Sequence, residues 1–428
     1  ASGTARFLVS LTGAPGARDV AAANTARVHQ AKPILEALRH EGAILGFSTN
    51  AADGTAVIEG TVKSLRRLRM VFGADVAPLS AASGAAHAQL LRTLAAASGV
   101  AAGTASLTGN YSIGGSYVSG QGPADTFVDG VLQDASGSTI ARARVKSDEN
   151  GYYGLSFISS NYPNFYPGFT IKLKAGPATL TLKVPVLTAE GNRVTDVVKG
   201  RGPKNGAVVV TATHYTYNEN GSTSTQFPLA VLTNAQGNYS LDFTAFTDLI
   251  GNDSITVKYT YPESANYVSF STEMPSIYGY LDRTDVGGSA SPGAATVVVK
   301  NRAGSQIFTM PIKVEADHDW SDDLTDGVNT VVLHPLMTIA VPAEQGVSAK
   351  LPKLLAKLNR AAKTVSGRGP ANLPYVIYEN EPYQTYYGRI GADGRFTEDI
   401  SAAGPFTVNT RGYIYVYLPS GDVVYALW

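Results

Sequence analysis

The chain contains no cysteine, so disulfides, thiolate zinc sites and cysteine nucleophiles are excluded. It carries no surplus of charge of either sign, since 34 basic residues face 34 acidic ones. A balanced chain offers no electrostatic footprint for nucleic acid or an anionic membrane surface. Nor does any apolar run approach the roughly 20 residues that a membrane-spanning helix requires. Histidine is scarce and scattered, at positions 29, 40, 87, 214, 318 and 334, with neither a His-Glu-x-x-His pair nor a Gly-x-Ser-x-Gly elbow. Carboxylate pairs such as Glu398 and Asp399 are adjacent on a strand pattern and therefore point to opposite faces. These absences argue against an enzyme and against any catalytic residue.

What the chain has instead is self-similarity. KSDENGYYGLSF at 146–157 recurs as TNAQGNYSLDF at 233–243, EADHDWSDDL at 315–324 and GADGRFTEDI at 391–400. In each copy a polar turn precedes an aromatic residue, and a large apolar residue follows four positions on. The matched pairs are Tyr153 and Phe157, Tyr239 and Phe243, Trp320 and Leu324, and Phe396 and Ile400. A separation of four places both members on one face of a strand, so these eight are the expected repeat core. Gly151, Gly237 and Gly394 supply the permissive backbone of the turn, with Asp319 expected in that place in the third copy. A second marker lies upstream of each copy: VSGQGP at 118–123, KGRGP at 199–203, GGSASPG at 287–293 and VSGRGP at 365–370.

Similarity at a spacing of roughly 80–90 residues marks a tandem array of small domains. The expected boundaries are 118–196, 197–285, 286–364 and 365–428. Short alternating strands such as FTIKLKA, SITVKYTY, NTVVLHP and YIYVYLP, punctuated by turn signals, imply antiparallel β-sandwiches. In the third repeat AKLPKLLAKLNRAAK at 349–363 reads as an amphipathic basic helix covering a sheet edge.

Residues 1–80 read differently. RFLVSL at 6–11 is a strand and 25–43 a helix with Val28, Ala31, Leu35 and Leu38 on one face. Strands at 44–51 and 54–61 follow, joined through Asp53-Gly54, then a helix at 62–73 and a strand at 74–80. The β-α-β-β-α-β order predicts a ferredoxin-like α+β domain, so the whole chain is expected to be mainly β with one α+β domain at its start. The linker 81–117 holds a short helix at 83–99 and an extended strand at 104–117.

Two family resemblances follow from these residues. HQAKPILEALRHEGA, LRRLR and DVAPLS make residues 5–80 resemble the peptidase inhibitor domain that serves as the propeptide of subtilisin-like serine proteases. The resemblance implies a folding assistant whose C-terminal end, here 74–80, blocks a protease active site. The Gly-Thr-Ser and His-Gly-Thr-His neighbourhoods of that protease's own serine and histidine are absent from the sequence. The turn-and-aromatic motif over 118–428 resembles the carboxypeptidase regulatory-like and immunoglobulin-like modules of secreted bacterial proteins.

For specific chemistry the sequence offers one acidic cluster, Asp317, Asp319, Asp322 and Asp323 with Asp326 beyond it, whose spacing suits a calcium ion. No other cofactor is implied. Tyr383, Tyr386, Tyr387, Tyr413, Tyr415 and Tyr417 form an aromatic concentration, suited to sandwich packing or to a sugar-binding platform.

The strand at 104–117 has no obvious partner in its own repeat. Ser106, Thr108, Tyr111, Ile113 and Tyr117 are therefore expected to add to the sheet of a neighbouring copy, with DVVYALW at 422–428 as the competing choice. Together these readings predict a non-enzymatic extracellular structural protein, freed of a signal peptide, that polymerises with its own copies into a surface filament or layer. The alternatives are a secreted inhibitor of a subtilisin-like protease and an adhesin that binds a surface glycan.

Overall fold

The computed structural model describes residues 5–10, 35, 39, 46–50, 55–60, 76–79, 107–157, 164–218, 220–262, 264–315, 318–344, 347–379, 384–403 and 410–428. The expected helices at 62–73 and 83–99, the Asp53-Gly54 turn, Ser106, Asp317 and Tyr383 lie outside them. Near the N-terminus β1 (Ala5–Ser10), β2 (Gly46–Asn50), β3 (Thr55–Gly60) and β4 (Val76–Leu79) lie in the order β2-β3-β1-β4 with antiparallel neighbours. Leu35 and Arg39 are helical, and the Arg39 guanidinium lies 5.9 Å from the Phe47 ring centroid.

Four seven-stranded sandwiches follow. The first holds β5 (Asn110–Ser112), β6 (Tyr117–Gln121), β7 (Phe127–Gln133), β8 (Thr139–Lys146), β9 (Tyr152–Ser156), β10 (Thr170–Ala175) and β11 (Ala178–Lys183). The second holds β12 (Thr188–Asn192), β13 (Val197–Arg201), β14 (Ala207–Asn218), β15 (Gly221–Leu232), β16 (Asn238–Asp242), β17 (Ser254–Thr260) and β18 (Tyr267–Glu273). The third holds β19 (Ser276–Tyr280), β20 (Asp285–Ser289), β21 (Gly293–Lys300), β22 (Gln306–Val314), β23 (Asp319–Asp323), β24 (Thr338–Ala340) and β25 (Ser348–Lys350). The fourth holds β26 (Leu355–Asn359), β27 (Thr364–Arg368), β28 (Pro374–Glu379), β29 (Gln384–Arg389), β30 (Arg395–Asp399), β31 (Gly412–Tyr417) and β32 (Val423–Leu427). In every sandwich the first, second and fifth strands pair on one side, and the other four pair on the opposite side.

The sequence pattern explains the shared build. The repeat's aromatic sits on the fifth strand across from a glycine of the second: Tyr153 pairs with Gly120, Tyr239 with Gly200, Trp320 with Gly288 and Phe396 with Gly367. A side chain on these glycines would collide with a carbonyl twelve residues earlier, that of Thr108 just before β5 or of Thr188, Ser276 or Leu355 in the first strands. At Gly120, Gly200 and Gly367 it would strike the facing aromatic side chain as well, so glycine makes room for the ring. The Tyr239 hydroxyl then donates to the Thr188 carbonyl at 2.7 Å, and the Tyr153 hydroxyl donates to Thr108. All eight expected core residues are no more than 6% exposed.

The turn before each aromatic has its own requirement. Gly151, Gly237 and Gly394 adopt φ of 80°, 85° and 75°, where a Cβ is disfavoured. In the third copy the residue in this place is His318, at φ 76°, and Asp319 already belongs to the strand. The sequence-based placement of Asp319 in the turn was therefore one residue late.

The sandwiches are joined in pairs. The last strand of the second, β18, runs parallel to the first strand of the first, β5, pairing Tyr267, Val268 and Ser269 with Asn110, Tyr111 and Ser112. In the same way β32 runs parallel to β19. Each junction fuses a four-stranded and a three-stranded sheet into seven continuous strands, and in the first pair β4 extends the sheet through the contact of Leu79 with Ala230. Apolar burial follows the pairing. One core runs from Leu107 to Met274 and a second from Ile277 to Ala426.

Several expectations are corrected by this pairing. The strand read as an orphan at 104–117 is hydrogen-bonded on both sides within the chain, to β6 and to β18. The competing segment, β32, lies between β31 and β19. Neither is a free edge. The domain boundaries fall about ten residues before the expected ones, because β12, β19 and β26 pair with the strands that follow them. NTVVLHP is not a strand: the sixth strand of that sandwich is β24. The expected helix at 349–363 is instead β25 and β26 on either side of Pro352, a residue that cannot donate the bond a helix interior needs. Within β26 the exposure alternates, with Leu355, Lys357 and Asn359 outward.

Candidate functional site: a tyrosine-walled seam between paired sandwiches

The two fused sheets have the same topology and differ in the chemistry at the centre of their outer faces. On the first, the face away from the core presents Thr211, Thr213, Ser254, Thr256, Ser269 and Ser271, tied by hydroxyl bonds such as Thr256 to Ser271 at 3.0 Å and Ser112 to Ser269 at 2.8 Å. On the second, strand register puts Tyr278, Tyr280, Tyr378, Tyr413, Tyr415 and Tyr425 on the corresponding face, with Tyr387 and Tyr417. Their rings pack on one another, Tyr280 on Tyr425 at 4.4 Å and Tyr378 on Tyr413 at 5.0 Å, while Tyr278 stands nearly perpendicular to Tyr425 at 81°. Burial raises the hydroxyl pKa of Tyr278, Tyr280, Tyr413, Tyr415, Tyr417 and Tyr425, so they remain neutral donors.

The chain does not run as a string of beads, because the fourth sandwich docks on the second. Tyr217 of β14 stacks on Tyr417 of β31 with centroids 3.5 Å apart and planes within 6°. Beside this stack Arg193, from the turn after β12, forks onto Asp422 at 3.0 and 3.2 Å. Asp422 is fully buried and also accepts from the Ile277 backbone at 2.8 Å and the Ser420 hydroxyl at 2.7 Å. Asn252 donates to the Gly421 carbonyl at 2.6 Å and accepts from Ser276 at 2.9 Å. Three sandwiches therefore meet at one carboxylate.

Along this seam lie three adjoining hollows. One of about 410 Å³ is bordered by His214, Asp248, Asp253 and the Tyr217–Tyr417 stack. A second of about 370 Å³ shares that stack and Asn252, and adds Glu273, Tyr278 and Tyr425. A third of about 460 Å³ shares Asn252, Glu273, Ser276 and Tyr278, and reaches Lys313, Glu315 and Asp319. His214 Nδ1 lies 3.0 Å from Asp253, whose buried carboxyl is shifted upward by desolvation and also accepts the Ile250 N–H at 3.0 Å. Burial, reinforced by the charge of Asp319, likewise raises Glu273.

The sequence-selected site residues fall as follows. Thr108 and Tyr111 lie at the junction of the first pair, where the Tyr111 hydroxyl meets that of Tyr261 at 2.6 Å. The Ile113 N–H donates to Ser269 at 2.8 Å, and Tyr117 is half-exposed on β6. Asp319 and Asp323 share one face of β23 and Asp322 the other, Asp323 accepts from Thr284, and Asp326 caps its own loop. Among the described residues no three His, Asp or Glu side chains are grouped as metal ligands, and Asp317 of the acidic cluster lies outside those residues. The seam itself was not read from the sequence. Tyr217, Asn252 and Glu273 carry no local motif, and they meet Tyr417 and Tyr278 only through the folding back of the second pair.

No protein-family model matches the chain, and no curated protein matches it in sequence. Among solved structures it is similar to a tetra-tandem repeat from the extending region of a large adhesion protein, at 16% identity over 76% of this chain and 98% of that one, with a TM-score of 0.16. The BSP domain of a biofilm-associated protein gives 9% identity over 75% and 95% of the two chains, with a TM-score of 0.15. A structure of a bacterial ice-binding adhesin gives 14% over 76% and 96%, with a TM-score of 0.14. Superpositions this loose do not set domains in common positions, so the tandem-sandwich architecture rests on the chain's own strand pairing.

Proposed function

We propose that the chain is a non-enzymatic extracellular structural and adhesive module, whose task is to hold a surface in a fixed place. The observation that carries this reading is the fusion of sandwiches into continuous seven-stranded sheets, locked to one another by the buried Arg193–Asp422 fork. Domains joined only by linkers move independently by default, whereas interchain-like sheet pairing and a shared core hold them as one body. The Gly- and Tyr-rich composition with exposed Ser/Thr strands suits a surface protein, and no helix among the described residues is long and apolar enough to cross a membrane. The seam supports adhesion: it is lined by rings and hydrogen-bonding groups beside hollows at the sandwich interface.

The reading extends to assembly of copies into a filament or layer. Since 107–117 and 423–427 are paired internally, strand addition between copies falls to true edges such as β29. The inhibitor alternative would need 74–80 to be released, because β4 is paired with β1 and touches β15. Small-angle scattering of the purified chain, with negative-stain microscopy over a range of concentrations, tests the proposal. One rigid particle, alone or in regular polymers, is expected. Independent motion of the second and fourth sandwiches would refute it.

A further inference from the structure

The tyrosines of the second fused sheet need an explanation beyond packing. The first fused sheet has the same strand order, and its corresponding face carries serine and threonine at the centre with Tyr117, Tyr152, Tyr215, Tyr217 and Tyr267 around them. In the second sheet, by contrast, the rings pack on one another across β19, β32, β31 and β28. Where Tyr417, Tyr425 and Tyr278 turn toward the other pair, they wall a groove together with Tyr215 and Tyr217, and its border also offers the polar groups of Asn252, Ser276 and Glu273.

The groove's size and place fit a ligand. Its three compartments adjoin through shared residues, each falls within the range of about 300–1,000 Å³ typical of binding sites, and all lie at a domain interface. Its chemistry narrows the class. Tyrosine presents an apolar ring with a hydroxyl at the tip, and here the rings alternate with amide, hydroxyl and carboxylate groups that accept or donate. A pyranose has the complementary character, with apolar C–H faces and a rim of hydroxyls. Three adjoining compartments offer room for several sugar units rather than one.

Charge narrows it further. Asp248, Asp253, Glu273, Glu315 and Asp319 border the three compartments, whereas the one lysine, Lys313, is held by Glu315 at 2.8 and 3.0 Å. An acidic sugar chain would bring like charge into a partly desolvated groove, where repulsion is strengthened. A neutral chain meets no such penalty, and an amino sugar would relieve the raised carboxyl of Glu273.

We propose that the seam between the paired sandwiches, centred on Tyr217, Asn252, Glu273 and Tyr278, is a binding groove for a neutral or amino-sugar oligosaccharide. This rests on and deepens the adhesive reading above, and titration reads binding separately from the rigidity that scattering reads.

The experiment is calorimetric titration of the full chain with three probes of equal length: a chito-oligosaccharide, its deacetylated cationic counterpart, and an oligogalacturonate. The first two are expected to bind and the third is not. Tyr217→Ala and Tyr278→Ala are expected to weaken binding about tenfold or more each. Tyr387→Ala, on the same tyrosine face but away from the groove, is expected to leave binding unchanged. Glu273→Gln is expected to weaken the cationic probe more than the neutral one. Tyr278→Phe keeps the ring, so a reduced affinity with an unchanged melting curve assigns the hydroxyl a direct role. The proposal is overturned if the anionic probe binds as well as the others, if no probe binds at about 10 mM, or if the folded Tyr217 and Tyr278 variants bind like the parent.

Discussion

Arg193 and Asp422 are separated by 229 positions in sequence and meet in a two-pronged ion pair that is 6% and 0% exposed on its two sides. Removing one partner from such a pair strands a buried charge, which costs about 3–5 kcal/mol. Asp422→Ala would also orphan the Ile277 N–H and the Ser420 hydroxyl. Chemical denaturation of Asp422→Ala should therefore show a loss in this range, and scattering should show the second and fourth sandwiches parting. Arg193→Met, which keeps the stem, should separate the sandwiches as well, and a compact particle with unchanged stability would contradict the role assigned to the pair.

The aromatic residue that anchors each repeat permits a graded test. Tyr239→Phe removes one hydroxyl and leaves the ring over Gly200, so the Thr188 carbonyl loses its side-chain donor. The expected cost is about 0.5–1.5 kcal/mol. Nature has run part of this comparison in the same chain: the fourth repeat carries Phe396, and the third carries Trp320, whose buried indole N–H has no acceptor among the described residues. Phe396→Tyr should accordingly stabilise the fourth sandwich if its hydroxyl reaches Leu355, the carbonyl that approaches Gly367. Urea midpoints for the two variants decide the matter, and equal midpoints for Tyr239→Phe and the parent would count against the bond.

Gly200→Ala asks about space rather than hydrogen bonding. Its new methyl would collide with the Thr188 carbonyl and the Tyr239 ring. Overpacking of this kind costs typically about 1–3 kcal/mol. Because the obstacle is backbone, the first strand of the sandwich must move away, and faster amide exchange at Thr188–Asn192 than elsewhere in the second sandwich is the expected signature.

His318 occupies the left-handed turn position that three other repeats give to glycine. A residue with a Cβ is disfavoured there by about 1–2 kcal/mol. His318→Gly should therefore raise stability by about 1 kcal/mol, the chain-entropy cost of glycine offsetting part of the relief. A lower thermal midpoint would show that the imidazole's contact with the Ala290 carbonyl at 3.2 Å outweighs the strain.

These positions also show what was legible in the sequence. The turn, the aromatic and its apolar partner repeat at short range, so Tyr153 and Phe157 and their counterparts could be read from alternation alone, and the strand-rich repeats with them. Pairing between sandwiches could not. Tyr267 meets Asn110 across 157 positions, and nothing in NYS at 110–112 distinguishes a strand seeking another molecule from one that its own chain will cover. The basic run at 349–363 misled for a different reason. Leucines at 351, 354, 355 and 358 mimic a helical stripe, but Pro352 and the neighbouring β27 impose period two on β26. The seam depends on long-range pairing of this kind, which is why only Tyr417 and Asp319 on its border were singled out beforehand.

Burial of so many tyrosines sets an alkaline limit on stability. A free tyrosine titrates near 10. Burial pushes Tyr261 and Tyr415 up to about 12, and it raises Tyr111, Tyr153, Tyr239, Tyr375, Tyr417 and Tyr425 as well. The folded state therefore holds these protons at a pH where the unfolded chain has released them. By linkage their contribution is complete below about pH 10 and falls as the pH rises toward the folded values. Tyrosinate absorbance and circular dichroism followed together should show an exposed group titrating first, and then buried hydroxyls ionising in one step with loss of β structure between about pH 10 and 12. Tyr415→Phe and Tyr261→Phe should each shift that step to higher pH by removing a group whose ionisation favours unfolding. A smooth titration of all the tyrosines near 10, with the sandwiches intact, would mean that the seam and the junctions are open to water.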